Sequence, residues 1–152
     1  MRIGIAIAAA VFISGCAATY QAPTIQSAGA VSSTKASKEQ ILLSAKRALV
    51  ADGYQITSFD DAAGVISTAP KQVRLTPRDA DCGKTLGLDY LLDNRTATKV
   101  TMGVIAYQGR YVVKATIAGD YRPGEVSQNM DLTCVSRGGL EEMLMEQITA
   151  GI

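Results

Sequence analysis

Hydrophobic and polar residues alternate along residues 99–119 with the period of two that a β-strand requires. If Gln108-Gly109 forms a two-residue turn, facing positions have residue numbers that sum to 217. One face of this hairpin is wholly apolar, and the other is polar except where Ile105 faces Val112. A shift of one residue would turn polar side chains towards the core, so the pattern fixes the register.

The preceding part of the chain predicts a helix followed by two strands. Ser37 can cap the helix in a capping box with Gln40, and Gly53 is suited to the left-handed conformation just past its end. Residues 54–70 then predict a strand, a turn and a second strand. The turn contains the adjacent carboxylates Asp60 and Asp61, which we interpret as turn formers rather than catalytic acids.

The C-terminal part of the chain predicts a strand and then a helix. Residues 128–135 alternate, with Cys134 on the apolar face. A Gly138-Gly139 pair marks the start of the helix, and Glu141 and Glu142 lie favourably near its positive N-terminal end. The predicted core-facing stripe of this helix contains Leu140, Met143, Leu144 and Ile148.

One segment, residues 86–92, leaves two interpretations open. The alternation of Leu86, Leu88, Tyr90 and Leu92 suits an edge strand, whereas the spacing of its other leucines suits a helical turn. With either interpretation, the order of elements predicts an α+β fold. We expect a single antiparallel sheet of about four to five strands, with an N-terminal and a C-terminal helix packed on one face.

The N-terminus has the layout of a secretory signal peptide: Met1-Arg2, an apolar run to Ile13, and small residues before Cys16. The apolar run is shorter than the roughly 20 residues that a membrane-spanning helix needs. Residues Ile13-Ser14-Gly15-Cys16 resemble the lipobox of bacterial lipoproteins. The resemblance implies cleavage before Cys16, a diacylglyceryl thioether on its sulfur and an acyl chain such as palmitate on its new α-amine. Several acyl chains suffice for stable membrane anchoring.

The lipobox also implies where the protein is located. Ala17 stands where an Asp would retain a Gram-negative lipoprotein in the inner membrane, so the resemblance favours the outer membrane, with the protein facing the periplasm. In a bacterium with one membrane, the same signal would leave it on the outer face of the plasma membrane. The predicted organisation is a signal peptide at 1–15, a lipidated flexible tether at 16–36 and an α+β domain at 37–152.

Charge and cysteine content narrow the possible functions. The chain has 15 Lys and Arg against 14 Asp and Glu, so we expect no nucleic-acid partner. It contains no His, which removes His-based catalysis and His-ligated metal sites. In an oxidising compartment, the cysteines left after lipidation of Cys16 predict a Cys82–Cys134 disulfide, the alternative being two inert buried thiols. A calcium-loop-like fragment at Asp79-x-Asp81 lacks its remaining ligands, so no metal and no cofactor is expected.

The order of elements and the stretch DGYQI…DDAAGVIST (residues 52–68) resemble the helix-grip domains of envelope lipoproteins such as BamC. The resemblance concerns fold alone and does not carry function. We expect a non-catalytic protein-interaction or envelope-assembly module whose partners are the membrane, through Cys16, and other envelope proteins. The alternative is a binding module that holds a small apolar ligand or lipid between helix and sheet. An enzyme is not expected.

Overall fold

The computed structural model of the protein describes residues 19–24 and 29–152. The elements in this part of the chain are eleven strands, two α-helices and two short 3₁₀ helices, at Tyr90–Leu92 and Val126–Gln128. In chain order they are β1 (Tyr20–Gln21), β2 (Ala30–Ser33), α1 (Lys38–Ala51), β3 (Ile56–Asp60), β4 (Val65–Thr68), β5 (Lys71–Gln72), β6 (Ala80–Asp81), β7 (Lys84–Thr85), β8 (Leu88–Asp89), β9 (Thr96–Tyr107), β10 (Arg110–Tyr121), β11 (Met130–Ser136) and α2 (Gly139–Ala150).

The strands form two antiparallel sheets. The larger sheet has eight strands in the order β3-β4-β9-β10-β11-β6, with β5 beside β9 and β2 beside β10. The smaller sheet has three strands in the order β1-β7-β8. Strands β9 and β10 have 12 residues each and are therefore about 40 Å long. Because each exceeds its shorter partners in length, β9 pairs along one edge with both β4 and β5, and β10 pairs with both β2 and β11.

The predicted helix-grip-like α+β fold, with a single sheet of about four to five strands, is wrong. Strands make up 42% of the structure, and they form an eight-stranded and a three-stranded sheet. Five strands, β1 and β5 to β8, have only two residues each, which is too short to show a period of two in the sequence. They form where neighbouring strands offer unpaired backbone groups along their edges.

The register of the central hairpin is confirmed. Every pair between β9 and β10, from Tyr107–Arg110 to Thr96–Tyr121, has residue numbers that sum to 217. The predicted capping box of α1 is confirmed as well, since the Ser37 hydroxyl accepts from the backbone N–H of Gln40 while the Gln40 side chain accepts from that of Ser37. Strong local patterns therefore determine these elements.

Both helices pack against one face of the large sheet. Helix α1 contacts β9, α2 contacts β10, and the two helices also contact each other. On β9 the even-numbered positions face the helices and on β10 the odd-numbered ones do. The largest of these fully buried side chains are Val100, Met102, Val104, Tyr111 and Val113. In the described part of the chain, the opposite face of the sheet has no covering helix.

Helix α2 is placed as predicted, but its buried stripe differs. Leu144 and Ile148 are buried and Leu140 is half-buried, whereas Met143 is 50% exposed. Glu141 is instead fully buried. The pattern of apolar residues alone could not predict that α2 turns Glu141 rather than Met143 towards the sheet, because the buried Glu141 has polar partners on neighbouring strands.

Two strands lie within residues 16–36, the range predicted as a tether. Strand β1 pairs with β7 in the small sheet, and β2 pairs with the β10 positions from Arg110 to Val113. The backbone of this range is therefore hydrogen-bonded to the domain in two places. Where a tether ends and the domain begins stays a prediction.

Candidate functional site

The structure brings together two of the three cysteines that the sequence analysis selected. Cys82 directly follows β6 and is fully buried, and it is joined by a disulfide to Cys134 on β11. The two residues are 52 positions apart, so the bond closes a loop that contains the central hairpin. Cys16, the predicted lipidation site, lies outside the described residues.

Strand β1 is held against the disulfide by a tyrosine. The Tyr20 hydroxyl donates to the backbone oxygen of Cys82 at 3.1 Å, and burial raises the pKa of this hydroxyl above its usual value. The Tyr20 ring lies 5.9 Å from that of Tyr90, which in turn lies 4.9 Å from that of Tyr121. Gly83 allows the close approach of β1, because a Cβ at this position would overlap the backbone oxygen of Gln21.

The turn between β7 and β8 has an unusual residue at its tip. Thr85 pairs with Leu88, so Leu86 and Gly87 are the two central residues of a hairpin turn. Their φ values are 52° and 80°, the positive values of a type I′ turn. Asn, Asp and Gly are favoured there, and a bulky residue with positive φ is strained. Leu86 is the only described non-glycine residue with positive φ.

Three exposed leucines form what we call the leucine surface: Leu86, Leu88 and Leu92, which are 77%, 77% and 73% exposed. Leu88 and Leu92 line the same open hollow, of about 450 Å³, together with the polar residues Asp89, Asp93 and Asn94. The Arg95 guanidinium is hydrogen-bonded to Asp93 and holds the pKa of that carboxyl well below its usual range. The Asp93 carboxylate next to Leu92 is therefore paired with the Arg95 guanidinium.

We expect Leu86→Asn to raise the free energy of unfolding by about 1 kcal/mol, because Asn adopts positive φ far more readily than Leu. Leu88→Asn is the matched control: Leu88 is equally exposed, but it is not among the residues with positive φ. Chemical denaturation of both variants measures the difference. Equal stability of the two variants would contradict strain at Leu86.

A second apolar surface crosses the uncovered face of the large sheet. Val31, Val112, Ile105 and Val65 lie at paired positions on β2, β10, β9 and β4, so they form one row across four strands. We call this row the outer sheet surface. Val31 is 56% exposed and Ile105 38% exposed. A shallow hollow of about 260 Å³ lies beside the row, at a position where Gly103 contributes no side chain.

The buried side chain of Glu141 has polar partners on two strands. Its carboxylate accepts from the backbone N–H of Ala115 at 3.1 Å and from the Ser136 hydroxyl at 2.6 Å. Ala115 lies between the β10 positions that pair with β2 and those that pair with β11, so its N–H has no strand partner on that side. Glu141 fills this gap in the ladder, which gives it a structural role.

Three acidic residues considered in the sequence analysis, Asp60, Asp79 and Asp81, accept hydrogen bonds from residues nearby in sequence. The Asp60 carboxylate accepts from the backbone N–H of Ala63, which confirms its role as a turn former. Asp79 accepts from Thr76, and Asp81 accepts from the N–H of Gly83. Among residues 19–24 and 29–152, no three His, Cys, Asp or Glu side chains are grouped as metal ligands would be.

Sequence analysis missed both apolar surfaces. The Ile105–Val112 exception was visible, but its extension to Val31 and Val65 depends on the pairing of strands far apart in sequence. No protein-family model matches the chain, and no curated protein matches it either. Neither helix in the described ranges has the length and apolar character needed to cross a bilayer.

Proposed function

We propose that this protein is a bacterial envelope lipoprotein, anchored in the outer membrane through acyl chains on Cys16 and facing the periplasm. Its domain serves as a non-catalytic docking module for other envelope proteins. The anchor is supported by the lipobox-like Ile13-Ser14-Gly15-Cys16 after a short apolar run. The sulfur of Cys16 would carry a diacylglyceryl group in thioether linkage, and cleavage before Cys16 would expose the α-amine that is then acylated.

The docking role is supported chiefly by the outer sheet surface. A sheet that is covered on one face normally presents polar side chains on the other, because inward and outward positions alternate. Here Val31, Val65, Ile105 and Val112 are continuous across four strands on the uncovered face. Val31 and Ile105 are exposed and Val65 and Val112 are half-buried, and a contiguous apolar patch at the surface of a folded domain is typical of an interaction site. The hollow beside Gly103 has the size to receive an apolar side chain from a partner.

The alternative of a small apolar ligand between helix and sheet has less support. The inward positions there carry large apolar side chains that are at most 2% exposed, among them Ile41, Leu42, Leu49, Met102, Leu144 and Ile148. These side chains occupy the space in which such a ligand would have to lie. No observation on the described residues favours this function over docking, so we do not propose it.

Photo-crosslinking in intact cells tests the docking role. We expect a photoreactive residue at Lys114, at the edge of the hollow, to capture the same envelope protein repeatedly. Adding the substitution Ile105→Asp to the protein that carries the photoreactive residue should abolish this capture, because it places a charge in the middle of the outer sheet surface. The control Val50→Asp, which changes a residue 62% exposed on α1, should leave the capture unchanged. A capture that survives Ile105→Asp, or no repeatable capture, would overturn the proposal.

A further inference from the structure

We propose that the leucine surface is a second membrane contact, which inserts into the same bilayer as the acyl chains on Cys16 and thereby orients the domain. This inference rests on the proposed lipid anchor. The observations that carry it are the direction of β1, the short chain between Cys16 and β1, and the exposure of the three leucines. The occupant of the surface is phospholipid.

The direction of β1 places the N-terminal end of this strand at the hairpin tip. Tyr20 pairs with Thr85, and Gln21 pairs with Lys84, in antiparallel register. Moving from Tyr20 towards the N-terminus is therefore moving along β7 towards Leu86. Thr19, the described residue next to Tyr20 on the side of Cys16, therefore lies at the end of the domain where the leucine surface lies.

The length of the connecting chain limits the distance between anchor and tip. Cys16 is three residues before Thr19, and each step between Cα atoms spans at most about 3.8 Å. The Cα of Cys16 therefore lies within about 11 Å of that of Thr19. The headgroup layer of a bilayer is only about 5–8 Å thick on each side. Once acyl chains on Cys16 are in the hydrocarbon, the hairpin tip is at or next to the headgroups.

The chemistry of the tip suits that location. Leu86, Leu88 and Leu92 are each more than 70% exposed, and apolar side chains gain free energy by leaving water. Leu86 also occupies a turn position that favours Asn or Gly, which makes leucine unfavourable there for the isolated fold. Strained positions of this kind concentrate at functional contacts. A membrane contact supplies a reason for leucine at this position.

Tryptophan fluorescence tests the contact, since the natural sequence contains no Trp. Leu86→Trp is introduced into the full-length protein, which is purified in its processed form from membranes. It is then reconstituted in vesicles of phosphatidylethanolamine and phosphatidylglycerol, with and without phospholipid brominated in its acyl chains. We expect a blue-shifted emission that brominated lipid quenches. Leu92→Trp is a second probe that leaves the turn unchanged, and Val50→Trp on α1 is the control, for which we expect no quenching.

Several outcomes would overturn the inference, and they are distinguishable. The intact mass of each preparation first shows whether Cys16 is acylated; an unmodified Cys16 would overturn both the proposed anchor and this inference. If the protein is acylated but the Leu86→Trp and Leu92→Trp variants emit like the Val50→Trp control, without quenching, the membrane contact alone is overturned. A blue-shifted emission of Leu86→Trp and Leu92→Trp that brominated lipid does not quench would assign the leucine surface to a protein contact instead.

Discussion

Replacement of both Cys82 and Cys134 by alanine is expected to lower the free energy of unfolding by about 4 kcal/mol. The disulfide closes a loop of 52 residues, and in the chain-entropy model its removal restores that much conformational freedom to the unfolded chain. The loss is a large fraction of the roughly 5–15 kcal/mol that stabilises a typical domain. Denaturant unfolding of the two proteins measures the difference, and we also expect a decrease in Tm of roughly 10–20 °C.

Reduction of the natural protein is the control for this prediction. A protein reduced and alkylated in denaturant, then returned to native conditions, should lose about as much stability as the double alanine variant, because both lack the cross-link. If the alanine variant keeps its stability to within about 1 kcal/mol, the disulfide does not constrain the unfolded chain in the way described.

Glu141→Ala is expected to destabilise the domain by about 3 kcal/mol. The substitution leaves the N–H of Ala115 and the hydroxyl of Ser136 without their acceptor in a buried location, and each such group costs about 1–3 kcal/mol. Glu141→Gln should cost less, since an amide keeps one acceptor for Ala115 and gains a donor for Ser136. Chemical denaturation of the natural protein and of both variants measures the three free energies of unfolding.

The neighbouring Glu142 provides a matched control for that measurement. It lies in the same first turn of α2 but is exposed, so Glu142→Ala should change stability by no more than about 0.5 kcal/mol. Equal effects of Glu141→Ala and Glu142→Ala would show that Glu141 does not serve as a strand-like partner for β10. If the Glu141→Ala variant is as stable as the natural protein, this role of Glu141 is likewise contradicted.

The elements that could be predicted from sequence are those with strong local patterns. The β9–β10 hairpin repeats its alternation over many residues, so a wrong register would expose an entire apolar face. Helix α1 combines a helical period with the Ser37–Gln40 capping box. Each of these signals lies within one short stretch of chain, and no distant partner is needed to interpret it.

The remaining features depend on pairing between distant parts of the chain. Strands β1 and β2 lie in a segment that consists mostly of small and polar residues. They form because β7 and β10 each have an edge with which they can pair. Burial of Glu141 depends on the gap between β2 and β11, which no local pattern reveals. Leu86 does not match the usual preference of its turn position, and such mismatches are expected at functional or strained sites, where a local pattern is a poor guide.

Acylation of Cys16 is tested most directly by the mass of the N-terminal peptide of the mature protein, isolated from the membranes of cells that produce it. We expect the peptide to begin at Cys16 and to carry both a diacylglyceryl thioether and an acyl chain on the α-amine. The Cys16→Ser variant should accumulate with residues 1–15 attached and without lipid. A mature protein that begins elsewhere, or that begins at Cys16 with a free thiol, would contradict the lipid anchor.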